Sequence, residues 1–496
     1  MAESTGYAAE MLDPDCEAMD AVPRRVPVAQ LRPALERCRA TEVTLGAGSR
    51  VVVMLDRGGV GQALVTQLER VGVAVLAIDD APDAATLLQR LAAFAAAGPV
   101  QGVYWLPALD AEGDFTGLAP ESFREALRLR VKLLHATMRA LYDQVAAPGS
   151  FLVAATRLGG LHGYEAVGPF APLGGAVCGF VKAFKRERPQ ALVKCVDFER
   201  DRDPAAVVEL LLAETQRDSG IVEVGHHEGL RWTVGLSEAP LDAQPGAPLA
   251  LAPAGERPVF VVTGAAGSIV AAIVADLAAA WPGTFYLLDR VAEPAADDPD
   301  LQRFRVDREG LKRELFERRK ARGERVTPAQ VERELAGLER AVAAQAAITA
   351  VRAAGGEVRY RRLDLLDAGA VAQVIDEVRR EHGRIDVLLH AAGVEISHFL
   401  PDKEPAEFDL VFDVKAEGWF NLLRAARGLP LGTTVIFSSI AGRFGNGGQT
   451  DYSAANDLLC KTSASLPRLW PGTRAVSIDW TAWGGLGMAA RGSIPS

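Results

Sequence analysis

A chain of 496 residues exceeds what one ordinary hydrophobic core organises, so at least two lobes are expected. Its 49% hydrophobic and 24% charged residues suit a globular chain in water, and no stretch approaches the roughly 20 uninterrupted apolar residues of a membrane span. A net charge of −10 argues against nucleic acid as a partner.

Residues 1–10 lack both a basic n-region and an apolar h-region, so no signal peptide and a cytoplasmic location are expected. Cys16, Cys38, Cys178, Cys195 and Cys460 form no CxxC pair, which fits reduced thiols. His226 and His227 are adjacent, and neighbours on a strand face opposite ways, so no metal site is expected.

Residues 1–45 read as a docking or linker preface, with a helix over 28–39. A β-branched run at 51–55 then leads into Gly58, Gly59 and Gly61, a helix over 62–70 and a strand at 73–78. Further strands are predicted at 103–106 and 151–155. Residues 237–258, rich in Pro, Ala and Gly, read as a linker that closes a first subdomain of 46–236.

The same layout then restarts: a strand at 259–262, Gly264 and Gly267, a helix over 269–280, and strands at 285–288, 387–390 and 435–438. Strand–helix alternation implies parallel βαβ units with right-handed crossovers. The fold class expected is therefore α/β: two tandem Rossmann-like, doubly wound parallel sheets, the second over 259–496. A charged, helix-rich run at 297–349 reads as an insertion, either a solvated helical hairpin or a surface for docking another domain. Within it Thr327 is an N-cap candidate and Pro328 the first helical residue.

Thr263, Gly264, Ala266, Gly267, Ser268 and Ile269 lie in a strand–turn–helix context where backbone N–H groups can meet a pyrophosphate. Val270 stands where the usual pattern has its third glycine. Asp289 and Arg290 end the next strand, where the adenosine ribose is read. They conflict, since Asp289 would accept from a free 2′-OH of NAD and Arg290 would hold the 2′-phosphate of NADP. Asp364 and Leu365 follow the third strand, with Asp364 placed for adenine, and Ala391, Ala392 and Gly393 follow the fourth, close to the cofactor.

Carbonyl reduction needs a hydride donor, a proton donor and something to hold the carbonyl oxygen. Ser439 ends a strand, Tyr452 follows it, Asn456 lies one helical turn beyond Tyr452, and Lys415 is on the preceding helix. A nearby ammonium and an oxidised nicotinamide are expected to lower the Tyr452 phenol.

The segments FSSIAGRFGNGGQTDYSAAN (437–456), HAAGV (390–394) and VFDVKAEG (411–418) resemble the ketoreductases of type I polyketide and polyunsaturated-fatty-acid synthases, which are short-chain dehydrogenase/reductase domains. Most of that superfamily carries lysine four residues after the tyrosine, whereas the synthase ketoreductases have asparagine there and a lysine on the earlier helix. Asn456 and Lys415 follow the synthase arrangement. The resemblance implies that Tyr452 donates the proton, Ser439 binds the carbonyl, Lys415 tunes Tyr452, and Asn456 orders a water or proton relay. It also implies NADPH as cofactor, with NADH admitted by Asp289. The implied partners are an acyl carrier protein bearing a β-ketoacyl chain and neighbouring synthase domains, with neither nucleic acid nor membrane.

The resemblance spans about 46–489 and implies a structural first half without chemistry. There Thr156 stands where the second half has Ser439, and Tyr164 is too near it to match Tyr452. Glu395, Ile396 and Ser397 replace the LDD-type motif, and Phe444 replaces the tryptophan of the opposite stereochemical class, so product handedness stays open. Trp480, Trp483, Gly484 and Met488 resemble the approach to a substrate lid, which is expected to be truncated at Ser496. Two rival readings are a stand-alone reductase or dehydrogenase of free small molecules and a non-catalytic scaffold lobe of a synthase.

Overall fold

The computed structural model describes residues 24–240, 251–295, 297–481 and 483. The first half runs β1 (Arg25–Leu31), β2 (Arg50–Met54), α1 (Val60–Arg70), β3 (Ala74–Ile78), α2 (Ala84–Ala96), β4 (Gly102–Trp105), α3 (Pro120–Leu127), α4 (Leu133–Ala140), β5 (Phe151–Thr156), α5 (Gly174–Glu187), β6 (Leu192–Phe198), α6 (Pro204–Gln216), β7 (Glu223–His227) and β8 (Leu230–Glu238). Strands β4, β5 and β6 are buried along their whole length, the pattern of a parallel sheet covered on both faces. Helix α1 buries Val60, Leu64 and Leu68, spaced four apart, on one face.

The second half runs β9 (Val259–Thr263), α7 (Ser268–Ala280), β10 (Thr284–Asp289), α8 (Pro299–Val306), α9 (Arg308–Ala321), α10 (Pro328–Ala353), β11 (Glu357–Arg362), α11 (Ala368–His382), β12 (Ile385–His390), α12 (Pro405–Ala426), β13 (Leu431–Ser439), α13 (Ile440–Phe444), α14 (Thr450–Leu469) and β14 (Arg474–Trp480). The first sheet has the order β1-β8-β7-β6-β5-β4-β2-β3, and the second β11-β10-β9-β12-β13-β14. All pairings of the second sheet are parallel. Its order reverses between β9 and β12, and in such sheets ligands bind beyond the carboxyl ends of the strands at that point. The expected pair of doubly wound sheets is therefore present.

Three expectations are corrected. The segment at 28–39 is not a helix: β1 pairs antiparallel with β8, from Arg25 opposite Glu238 to Leu31 opposite Trp232. Pro33 explains this, because it lacks the N–H and pushes the preceding residue away from helical angles. Only a 3₁₀ turn at Leu35–Arg37 remains, and part of the preface is thus an edge strand of the first sheet. The run at 237–258 also begins inside a strand, since β8 continues to Glu238; residues 241–250 lie outside the described ones.

The insertion is smaller than 297–349. Ala343, Ala344, Ala347, Ile348 and Val351 on α10 pack into the core with Val274 of α7 and with Phe260 and Leu287 of the sheet. They form the crossover that a parallel β10–β11 pair requires. Only α8, α9 and the start of α10 are extra, joined by a small cluster of Leu311, Leu315, Val331 and Leu335. The Thr327 side chain and Gln330 form a capping box at the start of α10, with Pro328 in the first turn.

The halves pack through equivalent helices: α5 joins β5 to β6, α14 joins β13 to β14, and the two lie together. Glycines permit the close approach, since a Cβ on Gly179 would stand 2.2 Å from the carbonyl oxygen of Ser453. Phe123 of α3 stacks on Phe420 of α12 at 4.0 Å between ring centroids, and one hydrophobic core spans both halves.

Candidate active site

The glycine turn between β9 and α7 is built for close passage of backbone. Gly264 has φ +71°, and a Cβ there would meet the Ala392 nitrogen at 2.9 Å. Left-handed angles of this kind are strained for other residues. Gly267 stands at the N-cap of α7 with no side-chain cap among the described residues, and the first-turn N–H groups at Ser268 and Ile269 have no intrahelical partner. Val270, in place of the third glycine, is buried in the helix–sheet core with Val262 and Ala265.

Thr263 does not offer its hydroxyl outward. Its Oγ1 accepts from the Ala391 and Ala392 nitrogens at 3.1 and 3.2 Å and contacts His390 Nδ1 at 3.0 Å. His390 Nε2 lies 3.2 Å from the Lys415 carbonyl, which can only accept, so Nε2 carries the proton and Nδ1 accepts from Thr263. Burial pushes the imidazole down to about 3, keeping it neutral. His390 thus ties the glycine turn to the helix bearing Lys415, a strut that the sequence showed only as part of HAAGV. Gly393 leaves room for that lysine, since a Cβ there would stand 2.8 Å from Lys415 Cε.

At the adenosine end Asp289 is buried and occupied. Its Oδ2 accepts from the Ala266 nitrogen at 3.0 Å, and its Oδ1 from the Val291 nitrogen at 3.1 Å and Arg340 Nη2 at 2.8 Å. Arg340, 51 residues further along the chain, carried no spacing signal for this place. Arg290 is exposed and pairs with Asp364 at 3.3 Å, while Asp364 Oδ1 accepts from the Leu366 nitrogen at 3.1 Å. Leu365 is buried against Gly418, and its carbonyl accepts from Asn421 at 2.9 Å. The bare helix start and the Gly264 cradle fit a dinucleotide phosphate, and the arginines at the rim suit a further anionic group.

Ser439, Tyr452, Asn456 and Lys415 converge beyond the carboxyl end of β13. Ser439 Oγ accepts from the Ala441 nitrogen at 3.1 Å. Tyr452 is 8% exposed and packs with Val411, Ala441, Val394 and Ile396. Lys415 Nζ lies 5.6 Å from the Tyr452 ring centroid and donates to the Phe437 carbonyl at 2.9 Å. Asn456 Nδ2 donates to the Tyr452 carbonyl at 2.8 Å, and its buried Oδ1 has no hydrogen-bond partner among the described residues.

Burial pushes the Tyr452 phenol up to about 12, with Asn456 and Ser439 hydrogen bonding opposing the rise and the Glu395 charge adding to it. Burial likewise pulls Lys415 down to about 8. A phenol raised in this way is protonated at neutral pH, the state a proton donor needs. Glu395 itself accepts from Gln449 Nε2 at 3.0 Å, which also donates to Ser397 Oγ, so the segment after HAAGV is fastened beside Tyr452.

Beneath Asn456 the halves share buried charge. Lys182 of α5 lies 2.9 Å from Asp457 and 3.2 Å from Glu223, and Arg443 is 2.5 Å from Glu223. Lys461 lies 3.6 Å from the centroid of the Tyr164 ring. Burial alone would pull the Lys182 ammonium down, but Asp457 and Glu223 hold it above its usual value. Glu187 of α5 accepts from the Leu400 and Gly448 nitrogens, both at 3.0 Å, fixing two loops of the second half. Trp480 and Trp483 meet at 5.0 Å, while Gly484 and Met488 lie outside the described residues.

Among the described residues no helix is long and apolar enough to cross a membrane. The family model of the KR domain matches residues 259–485. The chain is 28% identical over 233 residues to a polyunsaturated fatty acid synthase polypeptide of Thraustochytrium sp., covering 46% of this chain and 8% of that protein. It is 31% identical over 138 residues to polyketide synthase PksN of Bacillus subtilis, covering 27% of this chain and 2% of that one. It thus spans a small part of the length of the relatives it matches. An N-terminal ketoreductase from the macrolactin assembly line superposes with a TM-score of 0.66 over 93% of this chain and 83% of that one, at 15% identity, a likeness of fold. With the family match falling on the half that holds Ser439, Tyr452 and the open glycine turn, residues 259–485 are a ketoreductase domain of the short-chain dehydrogenase/reductase superfamily, of the polyketide-synthase kind.

Proposed function

We propose that the chain reduces a β-ketoacyl thioester, carried on an acyl carrier protein, to the β-hydroxyacyl thioester with NADPH, within polyketide or polyunsaturated-fatty-acid biosynthesis. The observation that carries this reading is the meeting of Ser439, protonated Tyr452, Lys415 and Asn456 beside a glycine turn whose helix N-terminus is free of side-chain caps. Bound NADPH supplies the hydride to the β-carbon.

Ser439 holds the ketone oxygen, and Tyr452 passes its proton to that oxygen as charge develops. Lys415, over the ring of Tyr452, stabilises the phenolate left behind. Asn456 Oδ1, buried and unpartnered, accepts from the water that returns the proton. The first half takes no part in the chemistry and acts as a buttress, and neighbouring synthase domains deliver the carrier.

The test compares NADPH consumption with a β-ketobutyryl group on carrier protein against the free β-keto acid. The carrier-bound ketone is expected to be reduced faster, and Tyr452→Phe to lower kcat about 10²–10⁴-fold, the scale of a lost general acid. Unchanged turnover in the variant, or preference for the free acid, overturns the reading.

A further inference from the structure

Asp289 and Arg290 alone leave the choice between NADH and NADPH open, and the partners of Asp289 bear on it. An aspartate at the end of the second strand accepts from a ribose 2′-OH, and an unpaired carboxylate there repels a 2′-phosphate. The Asp289 side chain, however, is 1% exposed, and three donors already hold it: the Ala266 and Val291 nitrogens and Arg340 Nη2 at 2.8 Å. Little acceptor capacity remains for a ribose hydroxyl.

Arg340 has capacity to spare. Its side chain is 42% exposed, and its Nε is buried without a hydrogen-bond partner among the described residues. It stands on α10 between the part that clamps the extra hairpin, at Val331 and Leu335, and the part that packs on the sheet, at Ala343 and Ala344. The hairpin thereby braces the helix that carries it. Arg290 and Arg362 lie at the same rim, the latter donating to the Arg290 carbonyl at 3.2 Å.

We propose that Arg340, by neutralising the buried Asp289 carboxylate, makes the cofactor site selective for NADPH over NADH. This rests on the reductase reading above and extends it to a specificity residue lying outside the glycine turn and the second strand.

The test is the dissociation constant of each nucleotide, measured by calorimetry on the whole chain without ketone substrate. Arg340→Ala is expected to cut the NADPH preference by about tenfold or more, a lower bound for one like-charge juxtaposition, while Arg340→Lys keeps most of it. Adding Asp289→Asn to Arg340→Ala removes the uncompensated charge while keeping an acceptor for the Ala266 N–H, and is expected to restore the preference. An unchanged preference in Arg340→Ala, or no recovery in the double variant, overturns the proposal while leaving the reductase reading intact. A wild-type chain that binds neither nucleotide overturns both.

Discussion

The two halves carry the same strand–turn–helix device and fill it differently. In the second half Gly267 opens α7, no side chain caps it, and Gly264 keeps the turn slim against Ala392. In the first half Gly59 opens α1 in the same way, but Asp56 stands three residues before it, as Gly264 does before Gly267. The Asp56 carboxylate accepts from the nitrogens of Gly58, Val60 and Gly61 at 2.9, 3.3 and 2.6 Å. It occupies with its own charge the place where a helix N-terminus would take an anion. Asp197 near the end of β6 likewise ties down the loop that follows β5, accepting from Thr156 Oγ1 and from the Leu158, Gly160 and His162 nitrogens. The first half thus fills from within the positions that the second half leaves open.

Exchanging the features between halves breaks this comparison most directly. Gly264→Asp, which imports the plug into a turn at φ +71° with backbone 2.9 Å from the new Cβ, is expected to abolish NADPH binding in calorimetry. Retained binding would mean that the open turn is not the phosphate site. Next in size is the charge shared between the halves. Lys182→Met removes the cation shared by Asp457 and Glu223, leaving Lys461 at 3.7 Å from the first and Arg443 at 2.5 Å from the second, and is expected to cost about 1–3 kcal/mol in denaturant unfolding. A loss below about 1 kcal/mol, the scale of an exposed pair, would show that this buried charge contributes little to holding the halves together. The smallest effect belongs to the plug itself. Asp56→Ala is expected to cost about 1 kcal/mol, as for a lost helix cap, and to leave NADPH stoichiometry at one per chain. A second bound nucleotide would show that filling, and not the wider loss of the site, silences the first half.

Much of the site was legible because it is local. The turn at Gly264 and Gly267, Ser439 at a strand end, and Tyr452 and Asn456 one helical turn apart are set by short spacings, and Lys415 entered by its place in a recognised segment. What could not be read joins distant parts of the chain: His390 linking Thr263 to the Lys415 carbonyl, Arg340 reaching Asp289, and Lys182 under Asp457. No periodicity marks such pairs. The phenol of Tyr452 shows the same division, since its burial, which pushes it up, is a property of the packed fold that no local spacing records.

The sequence by itself determined two strand–helix repeats and their glycine turns, because hydrophobic periodicity and turn chemistry act over a few residues, and it offered the candidate site residues through a motif resemblance. Tertiary structure alone decided that 25–31 is an edge strand, that most of α10 beyond Arg340 is a crossover helix, and which glycine turn is open. Each of these depends on what packs against the segment or which buried charge finds a partner, and those free energies exist only once remote residues have been brought together.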